Sequence, residues 1–410
     1  MIDKNNFPKF KKKILINGPV LLLVGPIGTF FSRLSNYFEE NKIETFKISF
    51  PLFEYGFPNS KRIFYDKEIK FFKKFLKEII RKNKIKHIFM YGNVLEPHKQ
   101  ALILSDEFEK EGLNINTYIF ELGYLRPNFV TLEEKGVNYK SSFIHNREFY
   151  DSKSKYKKLP IPRKHGLRIR KIWKAITFIT HCFTDYKLVK FEHKLQPKPI
   201  YLFFQIKGFF LKYFYKFQEY QKKKKCLSKK PFFIVILQVS TDSQVTQGSK
   251  IGNNFAFITK VIKDFSSSKL KNTNLVFKHH PRDRGYNNYK KFILKVSRKY
   301  NVASNIFYIH DFPLSKIFRN NLCKGTVLIN SSVGYQSLYH SIPVKSFGYV
   351  PYNFEGLTDQ NNLISFFKKP QKVNKNLFDK FYKYILENSQ INGNFDGFFP
   401  FSSVFSFEKY

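Results

Sequence analysis

Short apolar strand patterns alternate with amphipathic helix patterns near the start of the chain, and this alternation constrains the fold more than any other feature. The predicted strands are residues 19–24, 43–50, 86–91 and 114–120, and the predicted helices are residues 29–41, 67–83 and 97–111. Helices that connect successive parallel strands cover both faces of the sheet. The pattern therefore predicts a parallel, doubly wound α/β domain.

The same alternation returns after residue 230, while residues 145–230 are dense in Lys, Arg, Phe and Tyr and interrupt it. We therefore predict an N-terminal Rossmann-like domain (1–144), a basic and aromatic helical insertion (145–230) and a C-terminal Rossmann-like domain (231–410). Two such domains facing a cleft, without an internal repeat, indicate a GT-B-like α/β architecture.

Net charge is the most unusual property of the composition, because 72 Lys and Arg outweigh 31 Asp and Glu to give +41. Such a surface is either simply solvated or attracts polyanions: nucleic acid, an anionic membrane or phosphorylated substrates. Cys182, Cys226 and Cys323 are widely spaced, which argues against zinc and a disulfide framework and favours a reducing compartment. No uncharged apolar run is long enough to predict a spanning helix.

The run from residue 121 to 138 concentrates charged side chains behind the predicted strand 114–120. It contains Glu121, Arg126 and Glu133. Ligands bind at the carboxyl ends of strands in open parallel sheets, so these three residues are candidate site residues. A structural salt bridge capped by a turn is the alternative interpretation.

Two more loops follow predicted strands and contain candidate binding residues. Gly25 and Gly28 join the first strand to the first helix, where glycine lets a ligand approach the backbone; a tight turn is the alternative. Asp242 and Gln244 follow the strand at 232–239 among hydroxyl side chains. That setting suits sugar recognition or a nucleophile, and an Asx-turn or helix cap is the alternative.

The predicted strand at 274–278 leads into a strongly basic run that includes His280, Pro281 and Arg282. Imidazole and guanidinium groups together favour an anion site over a metal site, because acidic or Cys/His partners at metal-binding spacing are lacking. The alternative is a histidine of the core whose ring nitrogens are hydrogen-bonded internally.

A strand-to-helix turn later in the same half offers hydroxyl groups and backbone N–H groups to a phosphate. Its candidate residues are Asn330, Ser331, Ser332 and Gly334. A plain helix N-cap is the alternative. Residues 201–217 are rich in aromatic side chains interrupted by lysines. We predict that they form a helix, which either packs internally or lies in an anionic membrane interface.

These motifs, in this order, resemble the bacterial capsule polysaccharide biosynthesis and export family, the β-Kdo transferases of the KpsS/KpsC type. The resemblance rests mainly on residues 121–138 and 330–334, together with residues 25–31, 92–98 with His98, Asp242 to Gln244, His280-Pro281, 356–358 and 390–393. The chain contains one such module, like the shorter form. Asn93 and Leu95 depart from the acidic residue and arginine that the family pattern has there.

The resemblance implies a retaining glycosyltransferase that uses CMP-β-Kdo and a phosphatidylglycerol-type lipid or growing Kdo linker, without an obligatory metal or other cofactor. It assigns acceptor binding to the first domain and CMP binding to the second, with Glu121 and Asp242 as catalytic carboxylates whose roles stay undivided. It also implies a peripheral location on the inner face of the cytoplasmic membrane, and other capsule synthesis and export proteins as partners.

Two alternatives stay open. One is a different CMP-sugar or capsule-polymer transferase. The other is a basic nucleic-acid-binding protein. The sequence disfavours the second, because the basic residues are spread over both halves and no RNA- or DNA-binding module is recognisable.

Overall fold

The computed structural model describes residues 10–26, 28–50, 61–156, 199–240 and 247–408. In chain order, its strands and helices are β1 (Ile14–Ile16), β2 (Val20–Leu22), α1 (Phe30–Glu40), β3 (Thr45–Ser49), β4 (Lys61–Phe64), α2 (Phe72–Lys82), β5 (His87–Tyr91), α3 (Glu96–Lys110), β6 (Asn116–Leu122), β7 (Phe129–Glu134), α4 (Arg147–Asp151), α5 (Pro199–Ser228), β8 (Phe232–Ile236), α6 (Asn254–Ser267), β9 (Asn274–Lys278), α7 (Lys290–Lys299), β10 (Ile306–Ile309), α8 (Leu314–Phe318), β11 (Cys323–Leu328), α9 (Val333–Tyr339), β12 (Val344–Ser346), α10 (Leu363–Lys368), α11 (Lys375–Asn388), β13 (Gln390–Asn392), α12 (Phe401–Val404) and β14 (Phe405–Phe407).

The chain divides into two compact units. The first unit comprises Met1–Ser142, Tyr156–Leu202 and Lys383–Tyr410, and the second comprises Phe143–Lys155 and Phe203–Tyr382. Residues 383–410 therefore belong with the first unit, whereas the sequence placed them in the C-terminal domain. Residues 157–198 of the predicted insertion lie outside the described residues, and α5 is its main described element.

The first unit is built on a seven-stranded sheet in the order β13-β7-β6-β5-β2-β3-β4. The five strands from β6 to β4 are parallel, and β7 and β13 extend them in antiparallel pairing. From β2 the chain moves outward through β3 and β4, and it then crosses to β5 and β6 on the other side. The switch point where ligands bind in such sheets lies between β2 and β5.

Helices cover both faces of this sheet because their apolar residues recur at helical spacing. Helix α1 buries Phe30, Leu34 and Phe38 in the core on one face. Helix α2 buries Phe72, Leu76 and Ile80 in the core on the other face. Each such side chain contributes about 1.5–3 kcal/mol when it is fully buried. Strands β1 and β14 form a separate two-stranded parallel sheet beside the first of these cores.

The second unit contains a five-stranded, wholly parallel sheet in the order β10-β9-β8-β11-β12. Every residue of β8 and β9 is buried, as expected of strands covered by helices on both faces. Helix α6 packs its Phe257, Val261 and Phe265 against this sheet. The switch point of this unit lies between β8 and β11.

The predicted α/β class with two Rossmann-type domains, as in GT-B-like proteins, is confirmed by these two sheets. The predicted helix at residues 67–83 begins instead as a 3₁₀ turn at Ile69–Phe71 and becomes α-helical at Phe72. Strands β4, β7, β13 and β14 were not predicted. Among the described helices, none combines the length and apolar character needed to cross a membrane.

Candidate functional site

The glycine loop after β2 stands at the switch point of the first unit. Gly28 has φ +112°, a conformation that favours glycine because a Cβ would be strained there. A Cβ on Gly25 would approach the Phe31 ring to 2.7 Å, so close packing of α1 requires that glycine. Asp396 approaches the Gly28 position, at 3.8 Å from where a Cβ would stand. The sequence did not single out this carboxylate.

His98 connects the end of β5 to the start of α3. Its side chain is fully buried, and Nδ1 lies 2.8 Å from the carbonyl oxygen of Gly92. Since a carbonyl only accepts, Nδ1 carries the proton and donates. The neighbouring Asn93 is also buried and donates from Nδ2 to the carbonyl of Val137 at 3.2 Å. These two side chains hold the loop that borders the switch point.

The acidic run after residue 120 forms a β-hairpin, not the loop that the sequence predicted. Glu121 lies in β6 and Glu133 in β7, and the antiparallel register pairs Glu121 with Thr131 and Ile119 with Glu133. Directly paired residues share a face, as do alternate residues of one strand. Both carboxylates therefore project from the same face of the sheet.

Glu121 is half-buried near the tip of this hairpin. Its Oε1 accepts from the backbone N–H of Leu122 at 2.8 Å, and its Oε2 accepts from Asn138 Nδ2 at 3.5 Å. Arg126 lies in the connecting turn, where it is exposed and its Nε donates to the Gly123 carbonyl at 3.0 Å. The hairpin thus presents a partly accessible carboxylate and a cation.

Glu133 is buried, with 3% of its surface exposed. It accepts from Ser141 Oγ at 2.5 Å and from Ser389 Oγ at 3.0 Å. Burial raises the pKa of its carboxyl to about 7, although hydrogen bonds from Ser141, Tyr124 and Ser389 oppose that rise. The structure therefore makes Glu133 part of the internal support of the hairpin, and its direct contact with substrate stays a prediction.

Gln390 in β13, more than 260 residues later in the sequence, stabilises the same hairpin by hydrogen bonds. Its Oε1 accepts from the backbone N–H of Tyr124 at 2.9 Å and of Leu125 at 3.3 Å. Its Nε2 donates to Thr131 Oγ1 at 3.0 Å. The only sequence signal for this role was the match of residues 390–393 to the family pattern.

Three loops meet at the carboxyl edge of the second sheet. Gln238, after β8, donates from Nε2 to Asn330 Oδ1, after β11, at 2.8 Å. Ser240 donates from Oγ to Asp283 Oδ1, after β9, at 2.7 Å. The basic motif follows β9 and the hydroxyl motif follows β11, so the two predicted motifs lie on either side of β8 at the carboxyl edge of the sheet.

Asp283 connects the loops at this edge, a role that was not predicted from the sequence. The side chain is fully buried and also accepts from the Ser240 backbone N–H at 3.3 Å and the Tyr289 hydroxyl at 3.1 Å. The one available signal was a lone acidic residue inside an otherwise basic run. A buried carboxylate with several donors fixes the position of each donor, so Asp283 holds the β8 and β9 loops together.

In the basic run around Asp283, some side chains are exposed and others are held in hydrogen bonds or ion pairs. His280 caps the 3₁₀ turn Pro281–Asp283, with Nδ1 accepting from the Arg282 backbone N–H at 3.1 Å. Pro281 and the Arg282 side chain are exposed. Arg284 instead pairs with Asp311 at 2.6 Å. Arg282 is therefore the cation of this run best placed to meet an anionic ligand.

The imidazole of His279 belongs to the core. Tyr308 Oη lies 2.7 Å from His279 Nδ1. Burial, assisted by the neighbouring His310, lowers the pKa of His279 to about 3. The ring is therefore neutral at physiological pH and adds no charge to the edge.

The turn from β11 to α9 is held by its own backbone and by Tyr352. Ser331 Oγ accepts from the Val333 N–H at 3.3 Å, and the Ser331 carbonyl accepts from the Tyr352 hydroxyl at 2.7 Å. A Cβ on Gly334 would collide with the Tyr352 ring. Ser332 is the N-cap but makes no side-chain capping bond. Helix α9 has seven residues.

Asp242 and Gln244 lie outside the described residues, so their predicted roles remain predictions. Within the described ranges, no group of three or more His, Cys, Asp or Glu side chains is placed to hold a metal ion.

Comparison with known proteins gives a consistent result over most of the chain. Residues 88–396 match the family described as capsule polysaccharide biosynthesis protein. The capsule polysaccharide modification protein LipB of Neisseria meningitidis serogroup A is 31% identical over 402 residues, which are 93% of each chain. The capsule polysaccharide export protein KpsS of Escherichia coli is 29% identical over 388 residues, which are 92% of this chain and 97% of that protein.

Solved structures give weaker similarity. The β-Kdo 2,7 transferase KpsC of Thermosulfurimonas dismutans covers 89% of both chains at 13% identity, with a TM-score of 0.41. A glycosyltransferase of Rickettsia africae covers 91% of this chain and 95% of its own at 11% identity, with a TM-score of 0.35. The fold class therefore rests on the sheet topology, and the family on the sequence relatives.

Proposed function

The chain belongs to the capsule polysaccharide biosynthesis protein family, and from this premise we propose that it is a retaining glycosyltransferase of capsule synthesis. Its donor is CMP-β-Kdo, and its acceptor is a phosphatidylglycerol-type lipid or a growing Kdo linker. The reaction takes place at the inner face of the cytoplasmic membrane, where a lipid acceptor is available, and requires no obligatory metal.

The observation that carries the proposal is the meeting of three loops at the switch point of the second sheet. Gln238 and Asn330 join across β8 and β11, and Asp283 holds the loop that exposes Arg282. The edge therefore offers a cation, an imidazole at His280 and the hydroxyls of Ser331 and Ser332. Such groups stabilise the phosphate of a CMP leaving group by charge-assisted hydrogen bonds.

Retention of the anomeric configuration needs either a carboxylate nucleophile or attack from the front face. Glu121 and Asp242 are our candidates for nucleophile and acid/base, with the two roles undivided. Glu121 suits such a role because it is half-buried and retains access to solvent. Arg126 on the same hairpin is our candidate for orienting an anionic acceptor or the carboxylate of Kdo, because a guanidinium group matches a carboxylate.

The test compares CMP binding by calorimetry in the wild type and in the His280→Ala and Ser331→Ala variants. Loss of one charge-assisted hydrogen bond of about 1.5–3 kcal/mol weakens CMP binding by about 10- to 150-fold. His340→Ala is the matched control, since His340 is half-buried at the far end of α9. Unchanged CMP affinity in a folded His280→Ala protein would remove this residue from the donor site.

Turnover is tested separately with CMP-Kdo and a lipid acceptor, by the mass of the product. Glu121→Gln should abolish transfer and keep CMP binding, because Gln preserves the acceptor oxygen for the Leu122 N–H but cannot exchange a proton. Other CMP-sugars in the same assay decide between Kdo transfer and a different CMP-sugar transferase. Normal turnover by Glu121→Gln would exclude a catalytic role for Glu121.

A further inference from the structure

One face of α5 exposes a continuous stripe of large apolar side chains. Residues 203, 206, 210, 213, 214 and 217 recur at spacings of three and four, so they lie on the same side of the helix. The stripe consists of Phe203, Ile206, Phe210, Tyr213, Phe214 and Phe217, each between 51% and 89% exposed. Contiguous apolar surface of this kind marks an interaction site.

The opposite face of α5 is fixed to the second unit. The Tyr215 ring stacks on the His310 ring with centroids 3.6 Å apart and planes at 6°. Glu219 Oε1 lies 2.5 Å from His310 Nδ1, and both side chains are buried. Because these contacts fix the rotation of the helix about its axis, the apolar stripe cannot turn inward.

A close backbone crossing strengthens this attachment. Gly208 of α5 passes Gly285 so closely that a Cβ on Gly285 would collide with the carbonyl oxygen of Phe204. Arg284 also donates from Nη1 to the Gly208 carbonyl at 3.3 Å, and Gln205 donates from Nε2 to the Tyr286 hydroxyl at 2.9 Å. Residues 284–286 continue the loop that exposes Arg282. The helix is therefore fastened to the loop that forms the candidate donor site.

Lysines flank the apolar stripe. Lys207 lies along one edge and Lys216 beyond the other, and Lys212 reaches the stripe from the attached side, with Nζ 5.5 Å from the Tyr213 ring centroid; all three are exposed. A long lysine stem lies against apolar surface while its ammonium group stays at the polar boundary. Apolar side chains bordered by cations on both sides match the acyl and headgroup layers of an anionic bilayer.

We propose that this face of α5 binds the surface of an anionic phospholipid bilayer. The charge argument favours a membrane over a second copy of this chain, because a chain with a net charge of +41 repels itself. Because α5 also bonds to residues 284–286 of the donor-site loop, binding through α5 connects that loop to the bilayer surface through a single helix. The inference concerns binding alone and does not depend on the identity of the sugar donor.

The experiment is flotation of the full chain with phosphatidylcholine vesicles, with and without phosphatidylglycerol. It is run at about 0.1 M and about 1 M salt, where the Debye length falls from about 10 Å to about 3 Å. The wild type should float with the phosphatidylglycerol vesicles and lose most of this binding at high salt. Changing Lys207, Lys212 and Lys216 together to Gln should weaken binding about a hundredfold, at about fivefold per lysine.

A matched charge control changes Lys290, Lys291 and Lys295 to Gln. These three lysines are exposed on α7, so their substitution removes the same charge from a different helix. Vesicle binding by this control should stay within a few-fold of the wild type. Equal losses in the two triple variants would show that overall charge binds the vesicles, and would overturn the proposal. A wild type that does not float would also overturn it.

The contribution of the apolar stripe to vesicle binding is tested by the double variant Phe210→Gln/Phe217→Gln. The control is Ile103→Gln on α3, because Ile103 is 49% exposed. The double variant should lose flotation while keeping its Tm and its mass in solution. A lowered Tm would mean that the chain itself covers this face. A wild-type dimer that the double variant converts to monomer would mean that a second copy does. Either result would overturn the bilayer assignment.

Discussion

Replacing Glu133 by Gln should make the first unit less sensitive to alkaline pH. The wild-type carboxyl is buried, and burial raises its pKa from 4.5 to about 7. The folded protein therefore binds this proton more tightly than the unfolded chain does. Its contribution to stability is complete below pH 4.5 and is lost as the pH rises through about 7.

The magnitude follows from the interval between these two pKa values, about 2.5 pH units. At 1.36 kcal/mol per unit, ionisation of Glu133 removes about 3 kcal/mol of stability by the time the pH exceeds 7. Gln has nearly the same shape, and the Ser141 and Ser389 hydroxyls can either donate to it or accept from it. The variant should therefore keep the network without the charge.

The assay is thermal unfolding of the wild type and Glu133→Gln between about pH 4.5 and pH 8. The two Tm values should be similar at the acid end of this range. At the alkaline end, the Tm of the variant should be several degrees higher than that of the wild type. Glu134→Gln is the control, because Glu134 is the next residue of β7, with 43% of its side chain exposed and a surface pair with Lys12. Parallel Tm curves for Glu133→Gln and the wild type would refute the buried, raised-pKa interpretation.

Two further predictions concern the second unit. The two carboxylate oxygens of Asp283 accept from Ser240 and Tyr289, and Asp283→Asn replaces one of these oxygens by an N–H donor. The variant should bind CMP at least tenfold more weakly and lose about 1–3 kcal/mol of stability. CMP affinity equal to that of the wild type would contradict a positioning role for Asp283. Gly334→Ala should destabilise the unit by about 1–3 kcal/mol in urea unfolding, because the added methyl collides with Tyr352. A Tyr352→Phe background, which removes only the hydroxyl, should not relieve that cost.

Most of the scaffold was predictable because it depends on local patterns. The strands β2, β5, β8 and β9 are apolar runs, and α1 repeats its buried residues at helical spacing. Periodicity of this kind needs no knowledge of distant residues. The position of the basic and hydroxyl loops at strand ends followed from the same patterns.

The hairpin of β6 and β7 was missed because its partners are remote. Gln390 bonds to Tyr124 across 266 positions, and Ser389 bonds to Glu133 across 256. In isolation, residues 121–134 resemble a polar loop, since their glycine, proline and charges outweigh the strand formers. The burial of Glu133 and Asp283 likewise depends on which loops meet, and charge alone does not reveal it.

The return of the chain to the first unit has a consequence for synthesis on the ribosome. β13 pairs with β7, and β14 pairs with β1, so the first unit needs residues from 390 onward. All of the second unit is translated before those residues emerge. Until then β7 presents an open edge, which is a template for pairing with other chains. The domain begun first is thus completed last, and a nascent chain halted before residue 390 should be the species that most needs a chaperone.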